Sequence, residues 1–250
     1  MLRIEHLRKS FGGVVATADV SAHFPKDSLS AVIGPNGAGK TTFFNLISGA
    51  FAPDSGRVLL DGEDIVGLGS REIVRRGIGR AFQVSRLFKS LTVEESLRGA
   101  LQSPLGLSTR MRGRFPLART RDRAHEVMDQ LGLSSKADVV SGTLSHGDQK
   151  LLDMALALVL QPKVLLLDEP VAGMGPEERE QMIETVRGLW KRGGLTVVLI
   201  EHDMEIVFRI SQHIYVLSYG RVLAQGNPRQ IRENPEVIEA YLGTPKEARA

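Results

Sequence analysis

The sequence predicts an α/β fold in which a mixed sheet and helices form a core around a phosphate-binding loop, with an antiparallel β subdomain and a helical subdomain. Three observations carry this prediction. The first residues alternate apolar and polar side chains, which is typical of antiparallel strands. A glycine-rich turn, Gly34–Thr42, lies between a strand pattern and a helix pattern. Two continuous apolar runs, Lys163–Glu169 and Leu195–Ile200, alternate with helix patterns, as central parallel strands do.

The first part of the chain is predicted to hold the antiparallel strands and the first helix. Its strand patterns, all expected to be antiparallel, are Leu2–Leu7, Val14–Phe24 and Leu29–Gly34. A helix is expected over Lys40–Gly49 and should end at the glycine. A hairpin is expected over Gly56–Ile65, because Asp61 and Gly62 form a favoured two-residue turn.

The middle of the chain is predicted to be mostly helical, and the last part to return to alternating strands and helices. Helix patterns cover Thr92–Leu101, Arg121–Leu133, a stretch from Asp148, Pro176–Gly193, a stretch from Asp203, and Pro228–Gly243. A closing hairpin is expected over His213–Asn227. We therefore expect one domain over residues 1–250. Its core and β subdomain occupy 1–86 and 161–242, its helical subdomain 87–160, and a loose tail 243–250.

Composition limits the possible function classes. The net charge of +3, from 32 basic and 29 acidic residues, is too small to indicate a nucleic-acid binder. The chain has no cysteine and therefore no disulfide or thiolate metal site. No apolar run approaches the roughly 20 residues that span a bilayer, so a membrane role requires a partner. The arginine-rich segment 109–123 is either a patch for phosphate or anionic lipid, or a solvated loop and helix face.

The glycine-rich turn has the pattern G-x-x-x-x-G-K-T of a phosphate loop, from Gly34 to Thr41. Glycines let backbone N–H groups turn toward phosphate oxygens, and the start of the following helix adds its positive dipole end. Lys40 should reach the β and γ phosphates, and the Thr41 hydroxyl should bind Mg²⁺. The alternative is a glycine turn without function, which the strand-to-helix context disfavours.

Further candidate residues follow two strand patterns and precede the helical region. Asp168 and Glu169 end an apolar strand, where ligands gather in parallel sheets. Asp168 would hold Mg²⁺ directly or through water, and Glu169 would orient and polarise the attacking water. His202 follows another strand and could hydrogen-bond a γ-phosphate, and Asp203 after it is expected to cap the following helix. Gln83 could contact Mg²⁺ or the water. Taken singly, each of these residues could also be an ordinary loop or structural residue.

Together, these residues resemble the ATP-binding subunit of an ABC transporter over essentially the whole chain. The loop resembles Walker A, the segment ending in Asp168 and Glu169 resembles Walker B, Gln83 the Q-loop, and His202 the switch histidine. The segment Leu144–Lys150, LSHGDQK, lies where the family has its signature, and we name it the signature segment. The resemblance implies that the Phe11 ring stacks on adenine. It implies further ATP contacts from Gly34, Pro35, Asn36, Gly37, Ala38, Gly39, Lys40, Thr41, Thr42, Ser145 and Gly147.

The resemblance also implies that two cassettes pair head to tail with ATP between them. Ser145 and the N–H of Gly147 would contact the γ-phosphate bound by the partner. Read alone, Ser145 and Asp148 form a variant of a helix capping box. The chain departs from the family at His146 and Asp148 within the signature, and at Gly175, where the family often has aspartate.

Within the family, the sequence looks like the branch that imports branched-chain amino acids. The implied partners are a second cassette, identical or different, two membrane permeases and an external solute-binding protein. The implied location is the cytoplasmic face of the inner membrane, attached through the permeases. Alternatives are uptake of urea or short amides, lipopolysaccharide export, a soluble ATPase acting on nucleic acid, and a non-catalytic nucleotide-binding scaffold. Neither a long coiled-coil insertion nor a second cassette is present to support the nucleic-acid alternative.

Overall fold

The fold is taken from a computed structural model that describes residues 1–81, 87–101 and 120–242. The chain divides into two compact units. The first contains Met1–Ile73 and Thr196–Ala250, and the second contains Val74–Leu195. The helical subdomain expected over residues 87–160 falls within the sequence of the second unit, and its limits stay a prediction. Most of the arginine-rich segment and the expected tail lie outside the described residues.

The described residues form the predicted strands and helices in the predicted order, together with one strand and one helix that the sequence patterns do not predict. The strands are β1 (Leu2–Phe11), β2 (Val14–Phe24), β3 (Leu29–Ile33), β4 (Ser55–Leu60), β5 (Glu63–Asp64), β6 (Ile78–Ala81), β7 (Val164–Asp168), β8 (Thr196–Ile200), β9 (His213–Ser218) and β10 (Arg221–Gly226). The helices are α1 (Lys40–Ile47), α2 (Ser70–Arg76), α3 (Val93–Ala100), α4 (Arg121–Leu131), α5 (His146–Leu158), α6 (Pro176–Lys191), α7 (Met204–Ile210), α8 (Pro228–Arg232) and α9 (Pro235–Leu242). Over this part of the chain, none of the helices combines the length and apolar character needed to cross a bilayer.

An antiparallel group of strands in the order β5-β4-β1-β2 confirms the predicted β subdomain of the first unit. The β1–β2 hairpin turns at two glycines, so that Phe11 lies opposite Val14. The β4–β5 hairpin turns at Asp61 and Gly62, whose φ values of 52° and 88° are both left-handed. A tight hairpin turn of type I′ requires this conformation at both positions, which explains why the Asp-Gly pair predicted the turn correctly.

The prediction that the third strand pattern is antiparallel is wrong. β3 pairs in parallel with both β8 and β9, and all five of its residues are buried. Its sequence, LSAVI, has no charged residue and does not alternate, because both of its faces are covered. β10 pairs antiparallel with β9 and meets β2 through the parallel pair Arg221–Asp19. The strand order of this part of the unit is therefore β2-β10-β9-β3-β8.

The C-terminal helix pattern is divided into two helices, α8 and α9, where one continuous helical segment was expected. The break lies at Asn234, directly before Pro235, and proline disfavours a helical conformation in the residue that precedes it. The Asn234 side chain then caps the new helix, since its Oδ1 accepts the N–H groups of Glu236 at 2.9 Å and Val237 at 3.2 Å.

The second unit contains β6 and β7, which pair in parallel, together with the helices α3 to α6. The sequence patterns do not predict β6 or α2, which are four and seven residues long. α5 begins at His146, with Ser145 as its N-cap residue, and therefore starts two residues earlier than the expected Asp148. α4 ends at Leu131, and the following Gly132 has the left-handed conformation common after a helix.

Candidate active site

The phosphate loop lies between β3 and α1 in the first unit. Gly34, Gly37 and Gly39 have φ values of 153°, 79° and 100°. Gly39 cannot be replaced without displacement, since a Cβ there would lie 2.2 Å from the carbonyl oxygen of Ala16. The first backbone bond of α1 runs from the N–H of Phe43 to the Gly39 carbonyl at 2.8 Å. The N–H groups before Phe43 in this helix thus have no acceptor within it, which makes its start favourable for an anion.

The Lys40 ammonium lies against the loop itself. Lys40 is only 6% exposed. Its Nζ donates to the carbonyl oxygens of Gly34 at 2.7 Å and Pro35 at 3.0 Å. Thr41, the next residue, is exposed. A buried cation therefore adds its charge to the positive end of the α1 dipole.

His202 lies at the same sheet edge as the phosphate loop. β3 and β8 are parallel neighbours with Val32 opposite Ile200, so their carboxyl ends coincide. His202 follows β8 by two residues and is exposed, while its N–H donates to Oε2 of Glu201 at 3.1 Å. Asp203 accepts the N–H groups of residues 205 and 206 at 3.1 and 3.3 Å, and so caps α7 as predicted.

Phe11 lies at the end of β1, with its side chain 42% exposed. Its ring makes an edge contact with Phe51, with centroids 5.3 Å apart, and the Lys9 ammonium lies 5.5 Å from the ring centre. The β2 backbone that pairs with this end of β1 continues to Ala16, which touches Gly39 of the phosphate loop. An exposed aromatic ring thus lies on the hairpin whose second strand contacts the phosphate loop.

A cleft between the phosphate loop and α9 was not expected from the sequence. It is lined by loop residues 35–38 and by Glu236, Glu239 and Ala240 of α9. Tyr241, the next residue of this helix, has a buried hydroxyl. Burial raises the pKa of Tyr241 to about 12.

Asp168, the last residue of β7, is buried and paired with Arg80 of β6. Nη2 of Arg80 donates to Oδ2 of Asp168 at 2.8 Å, and the two side chains are 7% and 2% exposed. The other carboxylate oxygen, Oδ1, is buried and has no hydrogen-bond partner among the residues that the structure describes. A buried carboxylate oxygen without a donor is costly, and a cation would satisfy it. Asp168 therefore fits the role of a metal ligand.

Glu169 adopts a left-handed backbone conformation with a φ of 52°. For a residue other than glycine this costs about 1–3 kcal/mol, and such strain persists only where surrounding contacts hold it. Lys150 provides such contacts, because its Nζ donates to the carbonyl oxygens of Glu169 at 2.9 Å and Pro170 at 3.3 Å. Lys150, Asp168 and Glu169 also line one cleft.

The signature segment forms the start of α5. The Ser145 Oγ accepts the N–H of Asp148 at 3.1 Å and donates to Oδ2 of Asp148 at 2.7 Å. Lys136 pairs with the other carboxylate oxygen of Asp148 at 2.5 Å. Ser145 is exposed, whereas Gly147 is buried. Ser145 thus caps α5 as expected, the Asp148 carboxylate accepts the Ser145 hydroxyl, and Ser145 remains at the surface.

The predicted site residues therefore fall into one group in each unit. The first unit holds Phe11, the phosphate loop and His202, and the second holds the pair Asp168–Glu169 and the signature segment. Gln83 lies outside the described residues. Over the described part of the chain, no three His, Cys, Asp or Glu side chains come together as a metal site. A divalent cation would accordingly need hydroxyl and phosphate oxygens as well.

Comparison with known families decides the identity of the chain. Residues 17–172, more than half of its length, match the family described as ABC transporter. The chain belongs to the ABC transporter family of ATP-binding cassettes. Residues 221–247 of the cassette match a second family, described as branched-chain amino acid ATP-binding cassette transporter.

Curated relatives cover nearly the whole cassette. It is 40% identical over 250 residues to the high-affinity branched-chain amino acid transport ATP-binding protein BraF of Pseudomonas aeruginosa, covering 97% of this chain and 98% of BraF. It is 40% identical over 249 residues to LivG of Escherichia coli K12, a protein of the same description, with the same coverage. It is 32% identical over 243 residues to the lipopolysaccharide export system ATP-binding protein LptB of Haemophilus influenzae, covering 97% of each.

Solved structures share the fold of the cassette. A nucleotide-free ATP-binding cassette from an ABC transporter superposes with a TM-score of 0.85 at 31% identity, covering 97% of this chain and 99% of that one. A dimeric bacterial ABC transporter cassette superposes with a TM-score of 0.78 at 26% identity, covering 92% and 99%. The predicted fold class is confirmed by these structures.

The sequence patterns do not identify two buried cationic side chains of the cassette. Arg80 lies in the short strand β6 and Lys150 in a helix that is otherwise mostly apolar. The signal for each is a charged residue inside an apolar pattern, since a fully buried cation is rare unless it is paired. The pattern indicates that each cation has a partner. It does not identify that partner, which lies many residues away in the sequence.

We expect Arg80→Met to destabilise the cassette much more than a matched surface change. Removing the guanidinium leaves the Asp168 carboxylate buried without its partner, and breaking a buried pair costs about 3–5 kcal/mol. The measurement is the free energy of unfolding in urea. The control is Arg57→Met, which removes a 63% exposed side chain from its pair with Glu5 and should cost less than about 1 kcal/mol. Equal losses in the two variants would contradict the role given to Arg80.

Proposed function

We propose that this cassette hydrolyses ATP to drive the import of branched-chain amino acids, as one of two paired cassettes. The observation that carries the hydrolytic function is the pair Asp168–Glu169. A buried carboxylate oxygen of Asp168 has no hydrogen-bond partner among the described residues, and the next carboxylate follows on a strained backbone. The solute class is supported by likeness to BraF and LivG, whose names specify branched-chain amino acid transport.

The phosphate loop would bind the phosphates of ATP. The start of α1 offers N–H groups without intrahelical acceptors, and Lys40 would exchange its loop carbonyls for β and γ phosphate oxygens. The exposed ring of Phe11 would stack on adenine. The remaining contacts would come from the loop residues Gly34, Pro35, Asn36, Gly37, Ala38, Gly39 and Thr42.

Mg²⁺ would be held by the Thr41 hydroxyl and Asp168, with Gln83 as a further ligand. The exposed position of Thr41 supports this assignment, as does Oδ1 of Asp168, which has no hydrogen-bond partner in the part of the chain that the structure describes. When bound, the ion supplies charge neutralisation at the phosphate oxygens. Arg80 would keep the Asp168 carboxylate oriented through its other oxygen, which leaves Oδ1 for the ion.

Glu169 would act as the general base that orients and polarises the attacking water. Its side chain belongs to a residue whose backbone is held by Lys150, so the carboxylate would be presented from a rigid position. His202 would hydrogen-bond the γ-phosphate. Its exposure and its place beside the phosphate loop support this role.

The hydrolytic site would be completed by a second cassette. Ser145 and the N–H of Gly147 would contact the γ-phosphate held by the partner, with the α5 dipole behind them. Asp148 would repel a phosphate so close to Ser145, but Lys136 pairs with this carboxylate and offsets its charge. A similar cassette has been solved as a dimer, which supports pairing. ATP would then stabilise the closed pair.

The cassette would act on two membrane permeases and an external solute-binding protein, and would be attached through them to the cytoplasmic face of the inner membrane. Lipopolysaccharide export is a second candidate, because LptB is 32% identical. Import ranks above it, since BraF and LivG are more similar and the C-terminal family match points the same way. Urea or short-amide uptake and action on nucleic acid have no comparable support.

Purification of the native complex in mild detergent tests the transport assignment. We expect two permeases and a solute-binding protein to accompany the cassette. In reconstituted vesicles, ATP hydrolysis should rise when the binding protein carries leucine, isoleucine or valine, because the loaded protein favours the closed cassette pair. Urea-loaded protein is the control. Stimulation by urea alone, or co-purification with lipopolysaccharide, would contradict the assignment.

We expect Glu169→Gln to lower kcat by about 10²–10⁴-fold, because the amide cannot take a proton from water. ATP binding should persist, so the variant should accumulate as an ATP-bound pair. Phosphate release and size-exclusion chromatography with ATP measure the two effects. Glu184→Gln, on the exposed face of α6, is the control and should behave as the wild type. Wild-type turnover in Glu169→Gln would exclude it as the base.

We expect Ser145→Arg to prevent ATP-driven pairing, since a long cationic side chain would occupy the space of the partner's γ-phosphate. Binding of ATP to the single cassette should stay within about twofold of wild type, because the phosphate loop is untouched. Analytical ultracentrifugation and a fluorescent ATP analogue measure the two quantities. Asn227→Arg, which also removes a helix N-cap, should leave pairing intact. Loss of single-cassette binding in Ser145→Arg would contradict contact in trans.

A further inference from the structure

Lys150, the last residue of the signature segment, is a buried lysine without a part in the proposed nucleotide contacts. It lies in the second turn of α5, is 7% exposed, and has the fully buried Leu152 and Met154 close to it in sequence. Burying an ammonium group is costly unless hydrogen bonds satisfy it. An apolar residue would pack at this position without that cost. We therefore look for the role of the ammonium in the groups that accept its hydrogen bonds.

Lys150 donates to the main-chain oxygens of two successive residues, the proposed base and the residue after it. Its Nζ donates to the carbonyl of Glu169 at 2.9 Å and to that of Pro170 at 3.3 Å. Hydrogen bonds to a charged donor are stronger than bonds between neutral groups. One ammonium therefore fixes two successive peptide groups from the side of α5.

The backbone of Glu169 needs such a restraint. Its φ of 52° is sparsely populated for a residue with a side chain. The next residue, Pro170, has no N–H with which to stabilise the turn. The N–H of Ala172 also donates to the Glu169 carbonyl, at 3.2 Å. If this peptide rotated, the direction of the Glu169 side chain would change, because the side chain and the restrained carbonyl group are both attached to the Cα of Glu169.

The start of α5 contacts the same segment at two further points. A Cβ on Gly173 would lie 3.3 Å from Nε2 of His146, so the imidazole ring lies over this glycine. A Cβ on Gly147 would lie 3.2 Å from Oε1 of Glu178, in the first turn of α6. The first turns of α5 thus lie along the chain that follows Glu169, and Lys150 contacts it closest to the carboxylate.

We propose that Lys150 is a positioning residue that holds the Glu169 peptide in its left-handed conformation and thereby aims the Glu169 carboxylate at the attacking water. The proposal rests on the assignment of Glu169 as the base. Since Ser145 begins the same helix, the element that would contact the partner's ATP also fixes the base of its own chain. His146 and the start of α6 complete the support around this segment.

The test is Lys150→Met, which keeps a long apolar chain but removes the ammonium. We expect kcat for ATP hydrolysis to fall by about 10- to 100-fold, the range that a displacement of about 1 Å produces, while KM for ATP stays within about twofold. Lys150→Arg, which restores a cation with N–H donors, should recover most of the lost kcat. Lys191→Met on α6 removes an exposed lysine and should match the wild type.

A second measurement separates positioning from a general role in folding or pairing. In the Glu169→Gln background, Lys150→Met should still form the ATP-bound pair, because neither the signature contacts nor the phosphate loop has changed. Loss of that pair, or a rise in KM that accounts for the lost activity, would overturn the proposal. So would a Lys150→Arg variant as inactive as Lys150→Met although both fold with the wild-type melting temperature.

The outcomes also separate this proposal from the assignment of Glu169 on which it rests. If Glu169→Gln is inactive and Lys150→Met retains the wild-type kcat, the base stands and the positioning role is wrong. If Glu169→Gln retains activity, the assignment of the base is wrong, and the positioning proposal is overturned with it. A fall in kcat for both variants, with recovery in Lys150→Arg, supports both.

Discussion

The burial of three short strands determines where this cassette can carry polar chemistry. Every residue of β3, β7 and β8 is buried, and an unpaired polar group inside such a strand would be costly. The phosphate loop, Glu169 and His202 therefore lie directly after the strand ends, and Asp168 is accommodated only with Arg80 beside it. Parallel pairing of β3 with β8, and of β6 with β7, aligns these ends within each unit.

The sequence predicts the parts of the site that depend on local pattern. The phosphate loop follows from glycine spacing, Asp168 and Glu169 from an apolar run that ends in acids, and the caps at Ser145 and Asp203 from side chains that bond the backbone within three residues. What it fails to predict depends on contacts distant in sequence. The direction of β3 is set by two strands more than 160 residues away.

The same limit applies to the buried cations and the short elements. Arg80 finds its acceptor 88 residues further along the chain, and Lys150 finds its acceptors 19 and 20 residues away. No periodic pattern specifies such pairs. β6 is too short to show a period. The break before Pro235 is different, because its cause is local. Proline disfavours a helical conformation in the residue before it, and an apolar helix pattern alone does not include this effect.

The two residues at which the signature segment departs from the family pattern make structural contacts of their own. Asp148 donates its N–H to the capping hydroxyl of Ser145 and pairs its carboxylate with Lys136, while the His146 ring lies over Gly173. On the proposed assignments, one end of α5 serves the nucleotide of the partner and its second turn serves the base of its own chain. Where two copies pair, a lesion that displaces this helix would disable both nucleotide sites at once. A cell producing equal amounts of intact and damaged chains would then keep working transport only in the minority of complexes with no damaged copy, so such a lesion would behave as genetically dominant.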